Sequence, residues 1–107
     1  MKIGVDARLL SRPLTGIGRY TLEMCLALSQ IPEVSLFLYS PSPIPDEVRR
    51  KFSSAKFKTM NWNNGLLRQL WSESYLPLWA KMDAVDVFWG PTHRLPRFLP
   101  EAIPRVV

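Results

Sequence analysis

Residues 34–39, with the sequence VSLFLY, are apolar at every position except Ser35. A strand with one solvent-exposed face alternates apolar and polar residues, whereas a strand covered on both faces is a nearly continuous apolar run. We therefore predict that this segment is a central strand of a parallel sheet with helices on both faces. Such a strand restricts the chain to folds in which strands alternate with helices.

The rest of the chain contains further segments that fit this alternation. Strands are predicted at residues 2–5, 56–60 and 85–89, and residues 105–107 begin another. The fold class predicted is α/β, a Rossmann-like open parallel sheet with helices on both faces. The length of 107 residues is that of a single domain. Because the last residues begin an apolar strand, we expect residues 1–107 to be an incomplete domain of a longer protein.

Helical periodicity separates the predicted strands. In the first helix, Ile17, Tyr20, Met24 and Leu28 recur at steps of three and four, which predicts that they lie on its apolar face, and Pro32 ends it. Leu22, Cys25 and Leu26 widen this face, and Cys25 is expected to be buried as a small hydrophobic residue.

Two more helices are predicted before the last strands. The second is short, runs to about residue 52 and is expected to be capped by Asp46. In the third, Pro77 is expected to kink or divide the helix. Trp71, Tyr75 and Trp79 are expected in the core. The apolar residues that keep to one stripe of this third helix are Leu67, Leu70, Trp71, Tyr75, Leu78, Trp79 and Met82.

Composition excludes several kinds of protein. One cysteine and one histidine exclude a disulfide framework and a Cys/His zinc site built from this chain, and we expect no metal. No apolar run reaches the roughly 18 residues of a membrane span, and no signal peptide opens the sequence, so a cytoplasmic location is expected. The net charge of +5 suits a phosphorylated ligand, an acidic membrane surface or nucleic acid.

The distribution of the basic residues argues against nucleic acid as a partner. The densest basic run is Arg49, Arg50 and Lys51, and it lies beside Asp46 and Glu47, as on a solvated helix face. No alternation of basic and aromatic residues indicates a groove for a single strand. We therefore expect no nucleic-acid binding, whereas the basic residues and the tryptophans are compatible with peripheral contact with a membrane at its inner face.

The segment from Gly16 to Arg19 carries the clearest candidate for a binding function. Gly16 and Gly18 open the first helix after the loop that follows the first strand, where the free N–H groups of a first turn favour a phosphate. The alternative is that both glycines only serve a turn and a close helix–sheet contact. A dinucleotide fingerprint requires a small residue where this chain has Thr21, and no phosphate-binding P-loop sequence is present.

Residues 1–8, MKIGVDAR, followed by residues 16–20, GIGRY, resemble the N-terminus of the family-four retaining glycosyltransferases. Residues 86–91, DVFWGP, are similar to the fourth-strand region of the same family. The resemblance implies the N-terminal half of a two-domain GT-B fold, with the C-terminal nucleotide-sugar domain absent. It implies transfer of a sugar, mannose in the bacterial enzymes of surface polysaccharide and lipopolysaccharide assembly, with retention of anomeric configuration. The donor is a nucleotide-diphosphate sugar, and no cofactor is expected.

The resemblance also implies a role for individual residues. Gly16, Ile17, Gly18 and Arg19 would bind the donor diphosphate. His93 and Arg94, in the loop after the fourth strand, would contact a glycan or lipid-linked acceptor; the alternative is an ordinary surface loop. Independently of the resemblance, Asp6 at the end of the first strand either faces the cleft, or caps or pairs with a neighbouring arginine.

The sequence departs from the family in what it lacks. The usual histidine of the family would follow residue 107, and the E-x7-E motif belongs to the second domain, so we expect the isolated chain to be inactive. Two alternatives stay open: a non-catalytic Rossmann-like module that binds a phosphorylated ligand, and an interaction domain in which the glycine turn is structural.

Overall fold

The computed structural model describes residues 1–14, 16–61, 65–91 and 103–106. A five-stranded sheet with the order β3-β2-β1-β4-β5 forms its centre, and every neighbouring pair is parallel. The strands are β1 (Lys2–Asp6), β2 (Ser35–Ser40), β3 (Lys56–Thr59), β4 (Val87–Trp89) and β5 (Arg105–Val106). The predicted α/β, Rossmann-like parallel sheet is confirmed.

The helices lie between the strands in the chain. They are α1 (Gly16–Ser29), α2 (Asp46–Arg49), α3 (Gly65–Leu70) and α4 (Leu76–Met82). A 3₁₀ turn (Arg8–Ser11), which the sequence did not predict, follows β1. The prediction that Asp46 caps α2 is wrong. Pro45 occupies the cap and Asp46 is the first helical residue, where its carboxylate still favours the positive end of the short helix.

Pro77 divides the third predicted helix by way of a π-turn. Residues Trp71–Tyr75 form this wider turn between α3 and α4, and the Leu76 N–H donates to the carbonyl of Trp71 five residues earlier. Proline has no N–H to donate and its ring crowds the preceding turn, so an α-helix cannot pass through it unchanged. The wider turn places Pro77 in the first turn of α4, where a missing donor costs little.

Two hydrophobic clusters cover the two faces of the sheet. Leu36 and Leu38 of β2 pack in one cluster, with Leu22 and Cys25 of α1. The alternate residues of β2, Phe37 and Tyr39, pack in the other cluster with side chains of the π-turn and α4. All four β2 side chains are buried, which confirms the prediction of a central strand covered on both faces.

Gly4 in β1 makes room for the cluster on the α4 side. A Cβ at this position would lie 3.0 Å from the Tyr39 ring and 3.1 Å from the Val85 side chain, closer than side chains normally approach. Glycine is unfavourable inside a strand, so its presence here is explained by the close approach of these two side chains.

The predicted apolar face of α1 is correct only in part, because Leu22 and Cys25 are buried whereas three of its larger members are not. Ile17, Tyr20 and Met24 are 44%, 57% and 38% exposed. The buried residues of α1 are Gly18, Thr21, Leu22, Cys25 and Ser29. Most of these side chains are small, and small side chains let the helix lie close to the sheet. The larger residues of the apolar stripe are therefore left at the outer side of the helix.

Of the three aromatic residues of the third helix expected in the core, Trp71 is confirmed, whereas Tyr75 is exposed. Trp71 and Leu76 are fully buried and Trp79 is half-buried. The residues that instead remain exposed are Leu67, Leu70, Tyr75, Leu78 and Met82. The helix is apolar around most of its circumference, and only one side can pack on the sheet.

Candidate functional site

The connections of the sheet diverge between β1 and β4. The chain leaves β1 through α1 and returns to β2, with α1 packed on one face of the sheet. It enters β4 from α4, which packs on the other face. In open parallel sheets, ligands bind at the carboxyl ends of the strands beside such a divergence. The candidate site is therefore the segment that follows β1 together with its contacts.

An ion pair fixes the carboxyl end of β1. The Arg8 Nη2 donates to Asp6 Oδ2 at 2.7 Å, and the Arg8 Nε lies 3.0 and 3.1 Å from the two carboxylate oxygens. The backbone N–H of Arg8 adds a longer bond of 3.3 Å to Oδ1. The side chains are 1% and 12% exposed for Asp6 and Arg8, so this pair is almost entirely shielded from water. Of the two roles left open for Asp6, pairing with an arginine is confirmed.

Arg8 also connects β1 to the π-turn on the α4 side. Its Nη2 donates to the hydroxyl of Ser72 at 3.0 Å, and its guanidinium lies 5.3 Å from the ring centroid of Trp71. Both contacts place the cation within the range of favourable hydrogen-bond and cation–π interaction. Arg8 is thereby committed to three partners and is not a free cation at the edge of the sheet.

Trp71 carries the one buried side-chain polar atom without a hydrogen-bond partner among the described residues, its indole Nε1. The side chain is fully buried, and it contacts Trp79 edge-on at 6.0 Å between ring centroids. A buried N–H without an acceptor costs about 1–3 kcal/mol. Sequence reasoning missed both Trp71 and Ser72 as neighbours of the site, and the only signal near them was the helix break expected at Pro77.

The glycine turn opens α1 as predicted, and its two glycines differ. Gly16 is exposed and has a φ of +40°, a backbone conformation that favours glycine, and a Cβ added there would meet nothing within 4 Å. Gly18 is buried, and a Cβ there would make ordinary contacts of 3.7 Å with Leu9 and Leu14. The turn requires glycine at the first position, and the packing tolerates alanine at the second.

Arg19 lines an open groove between α1 and α2. The groove has a volume of about 480 Å³. Three cations, Arg19, Arg50 and Lys51, share it with the carboxylates of Glu23 and Glu47. The groove beside Arg19 therefore has a net positive charge, because two carboxylates offset only part of the charge of the three cations. Such a groove is compatible with the predicted role of Arg19 in diphosphate binding. Ile17, its neighbour in the turn, is exposed.

The predicted acceptor residues, His93 and Arg94, lie outside the described residues. In the part of the chain that is described, no three His, Cys, Asp or Glu side chains come together as a metal site would require. Within the same ranges, no helix is long and apolar enough to cross a membrane.

Two buried groups have raised pKa values. Burial raises the pKa of the Cys25 thiol from 9.0 to about 12, so it stays protonated and is a poor nucleophile. Burial, together with the hydrogen bond that Tyr39 donates to Asp83 at 2.8 Å, raises the pKa of the Tyr39 phenol above its ordinary value. Lys58 pairs with the other oxygen of Asp83 at 3.2 Å. Both groups are structural.

No protein-family model, curated protein or solved structure matches the chain significantly. The fold and the geometry at the carboxyl ends of the strands are therefore known from the structure alone. A function has to be argued from the chemistry of the residues there and from the sequence resemblance.

Proposed function

We propose that the chain is the acceptor-side domain of a retaining glycosyltransferase of GT-B fold, whose glycine turn binds the diphosphate of a nucleotide sugar. The observation that carries the proposal is the position of the turn. Gly16 adopts a left-handed backbone conformation, is exposed, and begins the helix that follows the first strand of a parallel sheet. The resemblance of residues 1–8, 16–20 and 86–91 supplies the enzyme family.

The chemistry of this turn suits a departing diphosphate. The first N–H groups of an α-helix have no intrahelical acceptor, and those of Gly16, Ile17 and Gly18 belong to this first turn. The helix dipole adds positive potential at the same end, and no acidic residue lies in the first turn of α1. Charge develops on the leaving nucleoside diphosphate as the glycosidic bond to the donor breaks, and fixed N–H donors stabilise that charge most.

The Asp6–Arg8 pair contributes rigidity. It joins β1, the following 3₁₀ turn and the π-turn through hydrogen bonds of 2.7–3.3 Å. Gly18 packs against Leu9 of the same 3₁₀ turn. A ligand-binding turn that rests on a fixed base loses less conformational entropy when it binds, because the turn is already ordered.

A second candidate function is a non-catalytic module that binds a phosphorylated ligand through the same turn. It is supported by the exposed, left-handed Gly16 at the start of α1, a geometry that suits phosphate in a binding module as well as in an enzyme. Both functions require diphosphate binding, and only the first requires a sugar donor and an acceptor to be used together with a second domain.

Calorimetric titration of the chain with UDP, GDP and inorganic diphosphate tests the shared requirement. We expect binding that weakens in Gly16→Ala, because a φ of +40° is unfavourable for alanine and the turn has to change its conformation. Gly18→Ala, whose methyl would pack on Leu9 and Leu14, is expected to leave binding unchanged. Arg19→Gln is expected to weaken binding several-fold through loss of one charge-assisted bond. Arg49→Gln, on an exposed face of α2, is the matched control and is expected to leave binding unchanged.

A transfer assay on the same protein separates the catalytic role of this chain from binding. We expect no turnover of nucleotide sugar by the 107-residue chain alone, since the family's catalytic motifs are not in it. Turnover by the isolated chain would contradict this expectation, and the absence of diphosphate binding would contradict both candidate functions.

A further inference from the structure

The helical segment formed by α3, the π-turn and α4 carries apolar residues on two sides. One side packs on the sheet through Trp71, Leu76 and Ala80, all fully buried. The other side has large apolar side chains that the described part of the chain leaves exposed. A surface helix normally presents polar residues opposite its buried face, so a second apolar side indicates a further contact.

The exposed apolar residues form a row with regular spacing. Leu66, Leu70, Leu78 and Met82 are four or eight residues apart, and Ser74, which is also exposed, occupies the middle position. We call these five residues the α3–α4 row. Eight residues of an uninterrupted α-helix would end ~80° beyond two full turns. The π-turn has more residues per turn, so it reduces this offset and brings Leu70 and Leu78 onto one side.

The α3–α4 row is symmetric about Ser74. Leu70 and Leu78 lie four residues on either side of it, and Leu66 and Met82 lie eight residues away. A two-fold axis at Ser74 therefore sets Leu70 of one copy against Leu78 of the other, and Leu66 against Met82. Interfaces between two identical subunits related by a two-fold axis have this reciprocity. A small residue at the centre lets two helices approach closely where they cross.

The other exposed apolar row, on α1, lacks this symmetry. A two-fold axis that exchanges Ile17 and Met24 would set Tyr20 against Thr21. Thr21 is fully buried, so it cannot contact a second copy. Self-complementarity is therefore a property of the α3–α4 row and not of every apolar row in the molecule.

The exposed area of the α3–α4 row is that of a small interface. The exposed fractions of Leu66, Leu70, Leu78 and Met82 are 76%, 47%, 50% and 66%. Together these side chains leave several hundred Å² of apolar surface on each copy, which is at the upper limit of what monomeric proteins usually expose. Each partner of a standard interface buries roughly 800 Å². We therefore expect an association that dissociates on dilution.

The charges along this segment suit a second copy. Residues 65–86 contain three acidic and two basic residues, whereas the chain as a whole has a net charge of +5. Two copies therefore meet here without the like-charge repulsion that the rest of the molecule imposes. Antiparallel pairing also brings Asp83, at the end of α4, beside the first turn of the other copy's helix, where the helix dipole favours negative charge.

We propose that two copies of the chain form a symmetric dimer through the α3–α4 row, with the helices antiparallel and crossing at Ser74. Leu66 of each copy packs on Met82 of the other, and Leu70 packs on Leu78. The row contains no residue of the glycine turn, and the dimer is measured without nucleotide. Failure of this proposal is therefore distinguishable from failure of the proposed diphosphate binding.

Sedimentation equilibrium over a range of protein concentrations tests the proposal. The mass of the chain is expected to rise from that of a monomer to that of a dimer as the concentration increases. Leu70→Glu with Leu78→Glu places charges beside the two-fold axis and is expected to weaken dimerisation by more than about tenfold. Tyr20→Glu with Met24→Glu makes the matched change on α1 and is expected to leave dimerisation unchanged.

Circular dichroism verifies that both double variants are folded. A monomer at every concentration up to about 1 mM would overturn the proposal, as would an equal loss of dimer, or an equal retention of it, in the two double variants. A parent chain that stays monomeric in solution but sediments with phospholipid vesicles would overturn it in favour of a lipid surface.

Disulfide trapping tests the antiparallel register. Ser74→Cys places a thiol on the two-fold axis and is expected to form a covalent dimer under mild oxidation by air. Leu66→Cys and Met82→Cys proteins are expected to link to each other when mixed, and neither to itself. The parent chain, whose Cys25 is fully buried, is the control for background. Links between two Leu66→Cys copies, or no link from Ser74→Cys, would overturn the crossing at Ser74.

Discussion

Replacing Arg8 with alanine tests whether the Asp6–Arg8 ion pair holds the carboxyl end of β1 in place. The substitution removes three side-chain contacts to the Asp6 carboxylate, at 2.7, 3.0 and 3.1 Å, and leaves only the 3.3 Å bond from the backbone N–H of residue 8. It also removes the bond to Ser72 and the contact with the Trp71 ring.

The size of the effect follows from burial. The Asp6 side chain is 1% exposed, so water cannot replace the lost partners. Removing one member of a buried ion pair costs about 3–5 kcal/mol, whereas an exposed pair contributes about 0–1 kcal/mol. Domains of this kind have a total stability of about 5–15 kcal/mol, so Arg8→Ala is expected to remove a large fraction of it.

Urea denaturation followed by circular dichroism measures this loss. Arg12→Ala, at an exposed position four residues further along, is the matched control and is expected to change the free energy of unfolding by less than about 0.5 kcal/mol. In an Asp6→Asn background the cost of Arg8→Ala is expected to fall, since no buried carboxylate is then left unpaired. A loss below about 1 kcal/mol, similar to the control, would refute the reasoning that this pair is shielded from water.

Three further predictions concern stability. Gly4→Ala is expected to cost about 1–3 kcal/mol in urea denaturation, because its Cβ would lie 3.0 Å from the Tyr39 ring; no loss would show that the ring can shift. Ala84→Gly is expected to raise stability by about 0.5–1 kcal/mol, because residue 84 has a φ of 53° after α4; a lower melting temperature would contradict this. Between pH 9 and 12, unfolded Cys25 releases a proton that the folded protein keeps, since burial raises its pKa from 9.0 to about 12. The free energy of unfolding is thus expected to fall by up to about 1.4 kcal/mol per pH unit from this group, and Cys25→Ala to reduce that slope; an unchanged slope would contradict the assignment.

The sheet was predictable because its central strand has an unambiguous pattern. Residues 34–39 are almost entirely apolar, and both faces of β2 are buried in the fold. The short strands β1 and β4 lie next to segments with clear helical periodicity. Both strands could therefore also be predicted from the sequence. The order β3-β2-β1-β4-β5 depends on which strands pair across the sheet, and no local pattern specifies such pairing.

The orientation of α1 was not predictable from periodicity alone. The broad apolar face predicted for the helix combines a row with Ile17, Tyr20 and Met24 and a row with Leu22 and Cys25, and periodicity does not show which row is buried. The fold buries the second row, because its small neighbours Gly18 and Thr21 let the helix approach the sheet. The volume of the side chains at the contact with the sheet determines which row of α1 is buried. The spacing of apolar positions in the sequence carries no information on that volume.

The candidate site was predictable only where its residues are close in sequence. Pairing of Asp6 with a nearby arginine was one of the alternatives that the sequence offered, because Arg8 is only two residues away. The contact of Arg8 with Ser72 spans 64 residues and requires the π-turn to set the direction of the Ser72 side chain. A break at Pro77 could be expected, but the register of the turn that accommodates it depends on the packing of Trp71 and Leu76.

Residue-resolved NMR titration with a nucleoside diphosphate tests the central claim most directly, because it observes the backbone N–H groups of the glycine turn individually. The proposed function predicts that the amide signals of Gly16, Ile17 and Gly18 shift progressively as UDP or GDP is added, and that Gly16→Ala weakens the response because alanine disfavours the left-handed conformation of the turn. Shifts confined to other parts of the chain, or no shifts at millimolar nucleotide, would contradict the claim that this turn binds a diphosphate.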